Sequence, residues 1–355
     1  MDVSAPIIVS ADPLLLGDLH RLCAAAGVVP EVVHGPEQAL RHWAGAPVIL
    51  VGADSAAVVA ASSPPRRPRV HVLGRGPVPD GLFRDALGLG AETVAALPAS
   101  ETWLVELLTD VGDGGAAPGV TIGVIGGSGG AGATVFAAAL AQLASEVATT
   151  LLVDADPIGA GIDRVLGLES RDGIRWDSML QTTGRLSSRS LREALPRTGQ
   201  LSVLTWPTDR PVSLQAFAMR EVLSAGRRGF DVVVVDLPRQ RDAVVEEMIS
   251  RCDHVVLVST LTVPGVSSAA RVAQRLPELT PARHLVTRGS RAGVTPEAVS
   301  RLLRMPLLAT MADQRGLDES INLGAGPARS RRGALARAAR TGVRSLVTSR
   351  QAAAA

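Results

Sequence analysis

Residues 120–134 read VTIGVIGGSGGAGAT. Val120 to Ile125 is an apolar run of β type. A glycine-rich loop follows it, and after the loop comes an alanine-rich helical run from Val135 to Ala144. Strand, glycine loop and helix form the context that a phosphate-binding loop requires. Glycine lets backbone N–H groups crowd around an anion, and the helix start adds its positive end. The candidate anion contacts are therefore Gly127, Ser128, Gly129, Gly130, Ala131, Gly132, Ala133, Thr134 and Val135. The Thr134 hydroxyl stands where a loop of this kind holds Mg²⁺. The alternative is a βα turn with no ligand, and the motifs downstream bear on it.

Thr150 to Asp154 reads as the next strand. It leads into Asp154-Ala155-Asp156-Pro157, a glycine turn through Gly159 and Gly161, and then Leu166-Gly167-Leu168. Phe230 to Pro238 (FDVVVVDLP) is the clearest buried strand in the chain, an apolar run ending in Asp236. Open α/β sheets place ligand chemistry at the carboxyl ends of their strands. An acid at the end of such a run holds Mg²⁺ beside a bound nucleotide. For the Asp154 segment, a solvated turn is the other reading.

Loop, Asp-x-Asp and Asp-x-Pro occur in an order that resembles the MinD/ParA ATPases. Their deviant P-loop runs Lys-Gly-Gly-x-Gly-Lys-Thr. The matching residues here are Ser128-Gly129-Gly130-Ala131-Gly132-Ala133-Thr134, so both lysines are missing. All 36 basic residues of the chain are arginine. The resemblance implies Asp156 as the carboxylate that positions the attacking water. It implies Thr134, Asp154 and Asp236 around Mg²⁺, and Asp236 with Pro238 as switch II. It implies ATP or ADP with Mg²⁺ as cofactor, held weakly or lost. A charge-assisted hydrogen bond contributes roughly 1.5–3 kcal/mol. Losing two therefore weakens binding by roughly 10²–10⁴-fold. Arg239 or Arg241, beside switch II, would serve the phosphate in their place. After the strand from His284 to Thr287 the family carries Asn-Arg, and the Asn reads adenine. Here the pair is Thr287-Arg288, and a hydroxyl cannot reproduce the paired donor and acceptor of an amide. Arg288 remains a candidate nucleotide contact.

At 355 residues, two domains are the natural expectation. Four Trp, four Phe and no Tyr leave little for base-stacking platforms. Cys23 and Cys252 lie far apart in apolar surroundings, which suits a reduced, cytoplasmic protein. No signal peptide and no run of 18 apolar residues is evident. The net charge of +2 conceals an asymmetry: residues 1–118 hold 7 Arg against 13 acids, and residues 119–355 hold 29 Arg against 21. A boundary falls between them.

The first part alternates strands and helices. Strands read at 5–10, 28–33, 48–51, 70–73 and 93–95, with a helix after each, the last over 100–111. Five β–α units imply a parallel five-stranded sheet. The order resembles the receiver domain of response regulators, without its chemistry. Only Asp12 follows Ser10-Ala11 where a receiver has an acidic pair. Asp54 stands two residues late for the phospho-acceptor, and Leu97-Pro98 replaces Lys-Pro. The expected organisation is thus α/β throughout: a degenerate receiver-like domain over 1–112, a linker at 113–119, a P-loop NTPase-like MinD/ParA domain over 120–348, and a disordered tail at 349–355. Residues 170–199 read as polar and irregular.

After Glu319 there is no acid, and residues 320–355 carry seven Arg. A helix over 333–348 places Leu335, Val343 and Leu346 on one face, with Arg337, Arg340 and Arg344 opposite. Either it packs on the sheet with a solvated arginine face, or it meets anionic lipid or a partner at the inner membrane surface. DNA backbone contact is the least favoured option. A receiver-like domain before such an ATPase is the layout of CpaE-like proteins. The missing lysines make it most similar to the septum-site-determining (Ssd-type) homologues found beside secretion and Flp-pilus genes. That resemblance implies a homodimer that regulates cell division, or pilus or secretion placement, by binding. The alternatives are a weak ATPase using arginine for lysine and a ParA-like DNA-associated protein.

Overall fold

The computed structural model describes residues 5–112, 119–179, 186–207, 212–280, 282–289 and 293–347. The chain divides into two compact units, Met1–Ala117 and Pro118–Ala355. Of the expected linker only Gly119 lies within the described residues. The expected tail lies outside them.

In the first unit β1 (Ile7–Val9), β2 (Glu31–Val33), β3 (Ile49–Gly52), β4 (Val70–Arg75) and β5 (Thr93–Leu97) form one parallel sheet in the order β2-β1-β3-β4-β5. The helices α1 (Pro13–Ala25), α2 (Pro36–His42), α3 (Ala53–Ala61), α4 (Asp80–Leu89) and α5 (Glu101–Gly112) alternate with the strands. Alternate strand residues serve opposite faces. Ile8, Leu50 and Leu73 pack with Leu15 and Leu19 of α1 and Leu104 and Leu108 of α5. Val9, Ile49 and Val72 pack with Ala56 and Val59 of α3 and Leu82 of α4. Each fully buried leucine contributes roughly 1.5–3 kcal/mol, which is why the continuous apolar runs become central strands.

The second unit holds an eight-stranded sheet. Its elements are β6 (Val120–Gly126), α6 (Ala133–Ala144), β7 (Thr150–Asp154), α7 (Ile162–Leu166), α8 (Trp176–Met179), α9 (Ser188–Ala194), β8 (Arg197–Thr198), β9 (Leu201–Leu204), α10 (Ala216–Gly229), β10 (Val232–Leu237), α11 (Ala243–Ser250), β11 (His254–Thr260), α12 (Val263–Ala273), α13 (Leu276–Leu279), β12 (Arg283–Arg288), α14 (Pro296–Leu303), β13 (Leu307–Met311), α15 (Leu317–Asn322) and α16 (Ala334–Gly342). The strand order is β13-β12-β11-β6-β10-β7-β9-β8, parallel except for the β8–β9 edge pair. β6 and β10 are neighbours, and β7 lies beyond β10. This order brings the three sequence motifs to one end of the sheet.

Two expectations are corrected. Residues 170–199 are not all irregular, because α8, α9 and the edge strand β8 lie within them. Leu191 and Leu195 are buried, and the Ser187 hydroxyl accepts from the Ser190 N–H at 3.4 Å to cap α9. The serines and arginines around that apolar pair disguised the helix. At the C-terminus, α16 continues into one π turn, Val343–Val347. Leu335, Val343 and Leu346 are buried against α6 and the central sheet, in one core with Phe136 and Leu140. They are therefore unavailable to a lipid surface. Arg337 and Arg344 are exposed. Arg340 donates to the Arg331 carbonyl at 3.2 Å and Arg337 to that of Arg332. Among the described residues, no helix is long and apolar enough to cross a membrane. Cys23 and Cys252 are free and buried, and burial pushes both thiols up to about 12.

Candidate functional site

The loop from Gly127 to Gly132 joins β6 to α6. The Gly127 N–H donates to the Val258 carbonyl at 2.8 Å, which ties the loop to β11. A Cβ at Gly127 would lie 2.6 Å from that of Ala269 in α12. Gly130 and Gly132 have φ of 68° and 89°, a left-handed backbone that glycine adopts without penalty. These bends turn the chain so that α6 starts at Ala133. Among the described residues, the N–H groups of Gly129, Gly130, Gly132, Ala133 and Thr134 have no protein acceptor. A helix start with unpaired N–H groups suits an anion. The side chains of Ala133 and Val135 pack on the core, so only the backbone of these two residues faces this task.

The acids stand beside the loop. β7 and β10 pair in register, so Asp154 and Asp236 are neighbours. Both are buried, 2% and 3% exposed. Asp154 accepts from the Thr205 hydroxyl at 2.8 Å, the Ile162 N–H at 3.0 Å and the Asp156 N–H at 3.2 Å. Its backbone carbonyl accepts from the Trp176 indole at 2.7 Å. Burial pushes Asp154 up to about 6 against those hydrogen bonds. Burial, joined by the Asp154 charge, pushes Asp236 up to about 8, although it accepts a hydrogen bond from Thr134. Buried acids this close hold a proton at neutral pH unless a cation joins them. Asp156 is half-buried, and its carboxylate accepts from the Ile158 N–H at 3.2 Å.

Thr134 hydrogen-bonds to Asp236, and Asp236 lies beside Asp154 in the sheet. Among the described residues, no group of three or more His, Cys, Asp and Glu side chains could itself hold a metal ion. The donor set suits a Mg²⁺ completed by water and phosphate oxygens, since Mg²⁺ keeps several waters. On this side the residues fit a magnesium nucleotide.

On the phosphate side, arginines stand beside the loop. Arg288, at the end of β12, donates to the Gly130 carbonyl at 3.2 Å and to Asp313 at 2.8 Å. Its Nη1 lies 3.0 Å from where a Gly132 Cβ would be. Arg239, after Pro238, places Nη2 3.8 Å from a Gly129 Cβ position. Arg241 is turned to Glu246 at 3.4 Å. Thr287 is buried and donates to the Thr310 hydroxyl at 3.1 Å, inside the sheet.

Three contributors had no signal in the motifs. Thr205 and Asp313 lie in segments without motif spacing. Trp176 is a lone aromatic in a polar stretch, which hints at burial and no more. The first unit holds a comparable surprise. Asp54 accepts from the Ser10 hydroxyl at 2.8 Å, the Ala11 N–H at 2.7 Å and the Ser55 hydroxyl at 2.9 Å. Burial raises its pKa, but these bonds outweigh it and hold the carboxylate below its usual range. Asp12 caps α1, accepting from the Leu14 N–H at 2.9 Å.

A family profile described as "Rv3660c-like, CheY-like N-terminal domain" matches residues 9–119. The chain is 38% identical over 336 residues to Rv3660c of Mycobacterium tuberculosis H37Rv, covering 93% of this chain and 94% of that protein. Among solved structures, the ParA family ATPase from Chlorobium tepidum TLS superposes with a TM-score of 0.56 at 14% identity, over 64% of this chain and 98% of the other. The septum site-determining protein MinD of Pyrococcus horikoshii OT3, solved with Mg-ADP, gives 0.54 at 19% identity, over 62% and 93%. At these identities the fold is what is shared. The chain therefore combines a CheY-like unit with a MinD/ParA-like α/β unit.

Proposed function

This chain belongs to the Rv3660c-like family, and we propose that it is a septum-site-determining or pilus- and secretion-positioning regulator that acts by binding. In this reading the loop is a degenerate Walker A that holds a magnesium nucleotide weakly and does not hydrolyse it. The observation that carries the reading is the setting of Arg288. The cation nearest the loop already donates to Gly130 and Asp313, so it anchors the loop and is not free to follow a transferring phosphoryl. A bound nucleotide would supply phosphate oxygens and carry Mg²⁺. The N–H groups of Gly129 to Thr134 would receive the phosphates. Thr134, Asp154 and Asp236 would hold the Mg²⁺ shell. Catalysis of phosphoryl transfer rests on charge neutralisation at the moving group, and both lysines that provide it are missing.

A second copy is the first partner to consider, at the loop end of the sheet. There Ile158, in the segment after β7, is 78% exposed and Val263, opening α12, is 73% exposed. A weak ATPase is the second reading, favoured by Arg239 alone, whose guanidinium reaches the loop. Equilibrium titration with ATP and ADP plus Mg²⁺, run beside a turnover assay, separates the two. Binding without turnover is expected. The Ala133→Lys protein should bind about tenfold or more tightly, as one charge-assisted bond is restored. Turnover of about 1 per minute or faster, abolished in Asp156→Ala, would sink the scaffold reading and leave the weak ATPase.

A further inference from the structure

A cavity of about 420 Å³ opens at the amino end of β12, between α12, α13 and α14, at the opposite end of the sheet from the glycine loop. Its walls include Ala273, Gln274, Pro277, Arg283, Leu302 and Arg304. The volume is in the range of ligand sites. Three observations single it out.

First, the Arg283 Nε is buried and has no hydrogen-bond partner. Buried donors are nearly always satisfied, so an orphan calls for an explanation. Second, neither Arg283 nor Arg304 has a carboxylate partner among the described residues, whereas nearby Arg275 pairs with Glu246 at 3.4 Å. Third, Arg304 ends α14 with φ of 51°, a left-handed conformation unusual outside glycine. The conformation is the left-handed cap that ends α14, a position that glycine would fill without strain. Beside these cations the wall carries Ala273, Pro277 and Leu302 together with the polar Gln274. Leu302 is 65% exposed at the rim.

We propose that this cavity binds an acidic, apolar peptide segment of a protein partner. The two guanidinium groups take a carboxylate, and the alanine, proline and leucine wall takes the neighbouring apolar side chain. Charge complementarity selects this occupant. A single strand would stack its bases on aromatic platforms, and the walls have none, while a duplex is too wide to enter a cavity of this size. A membrane surface would need cations on a flat or convex face, not at the mouth of a cavity. The site owes nothing to the nucleotide reading, and the two stand or fall separately.

The test is selection of random twelve-residue peptides displayed on phage against the full chain, with the Arg283→Ala/Arg304→Ala protein as counter-selector. Enriched peptides should carry Asp or Glu within a few positions of Leu, Ile or Phe. By fluorescence anisotropy they should bind wild type about tenfold or more tightly than either single variant, and binding should weaken with added salt. Arg304→Gly removes one guanidinium while easing the left-handed backbone, so it should fold at least as well as wild type and still lose the peptide. Arg283→Lys should retain part of the affinity. Failure to enrich over the counter-selector, or equal binding to wild type and a folded Arg304→Gly protein, overturns the proposal. So does displacement of the peptide by octanoate at equal affinity, which would assign the cavity to a small carboxylic acid.

Discussion

Arg288 stands beside the proposed nucleotide loop with two of its donors already committed. Its Nε–H is committed to Asp313 and one Nη1–H to the Gly130 carbonyl. Asp313 is 69% exposed, so this is a surface ion pair, contributing about 0.2–1 kcal/mol. A phosphate must compete with it. Asp313→Ala should therefore tighten magnesium-nucleotide binding by about two- to fivefold, and Arg288→Ala should weaken it by about tenfold or more. Both are read by the same titration, and equal affinity in the three proteins would remove Arg288 from the site. The identity of this residue could be read in the sequence, because Thr287-Arg288 stands where a family motif falls. Its partners could not. Asp313 lies 25 residues on and Gly130 158 residues back, and no periodicity links them. The same holds for Asp54: its displacement was visible, but its clasp by Ser10, 44 residues away, was not.

Elements show where the patterns served and where they misled. Apolar runs such as FDVVVVDLP can only become central strands, and they did. The strand ends carry polar residues that no run explains. His254 opens β11 and His284 is the second residue of β12, with 3.4 Å between Nδ1 and Nε2. Burial, and then the neighbouring His254, lowers His284 to about 4. An unfolded histidine titrates near 6.5. Between these values the unfolded chain binds the extra proton, so stability should fall as pH drops from about 6.5 to about 4. Because the ring is only partly buried, the effect is on the order of 1–2 kcal/mol. Urea midpoints at pH 7.5 and 5 should diverge more for wild type than for His284→Gln. Identical pH profiles would count against this account. For α16 the amphipathic pattern was clear but its partner was ambiguous, since a core and a lipid surface want the same stripe. Burial of Leu335, Val343 and Leu346 favours the core. A chain ending at residue 327 exposes that core, so it should aggregate or melt more than about 10 °C lower, since the loss of several buried leucine-sized groups is worth several kcal/mol. A soluble truncated chain with unchanged Tm would contradict this.

At the scale of the whole molecule, each unit closes its own core. Within each unit the paired apolar clusters cover both faces of that unit's own sheet. The charge also shifts near this division, from an excess of acids over 1–118 to an excess of arginine after it. What composition could not convey is that Thr134 of α6, Asp154 of β7 and Asp236 of β10 meet, which is the basis of the proposed nucleotide site. Fragments 1–112 and 119–355 should therefore each fold cooperatively when produced separately. Magnesium ATP should then raise the Tm of the second fragment alone. With millimolar affinity and a severalfold excess of ligand, linkage gives about 1 kcal/mol, or about 2–4 °C for a unit of this size. Asp236→Asn should abolish most of that shift without lowering the unliganded Tm, because it removes a buried ionisable carboxyl and keeps its volume. An equal shift in fragment 1–112 would place the nucleotide elsewhere. No shift in fragment 119–355, even with Ala133→Lys, would mean that the loop has lost its phosphate altogether and that the second unit works as a binding surface alone.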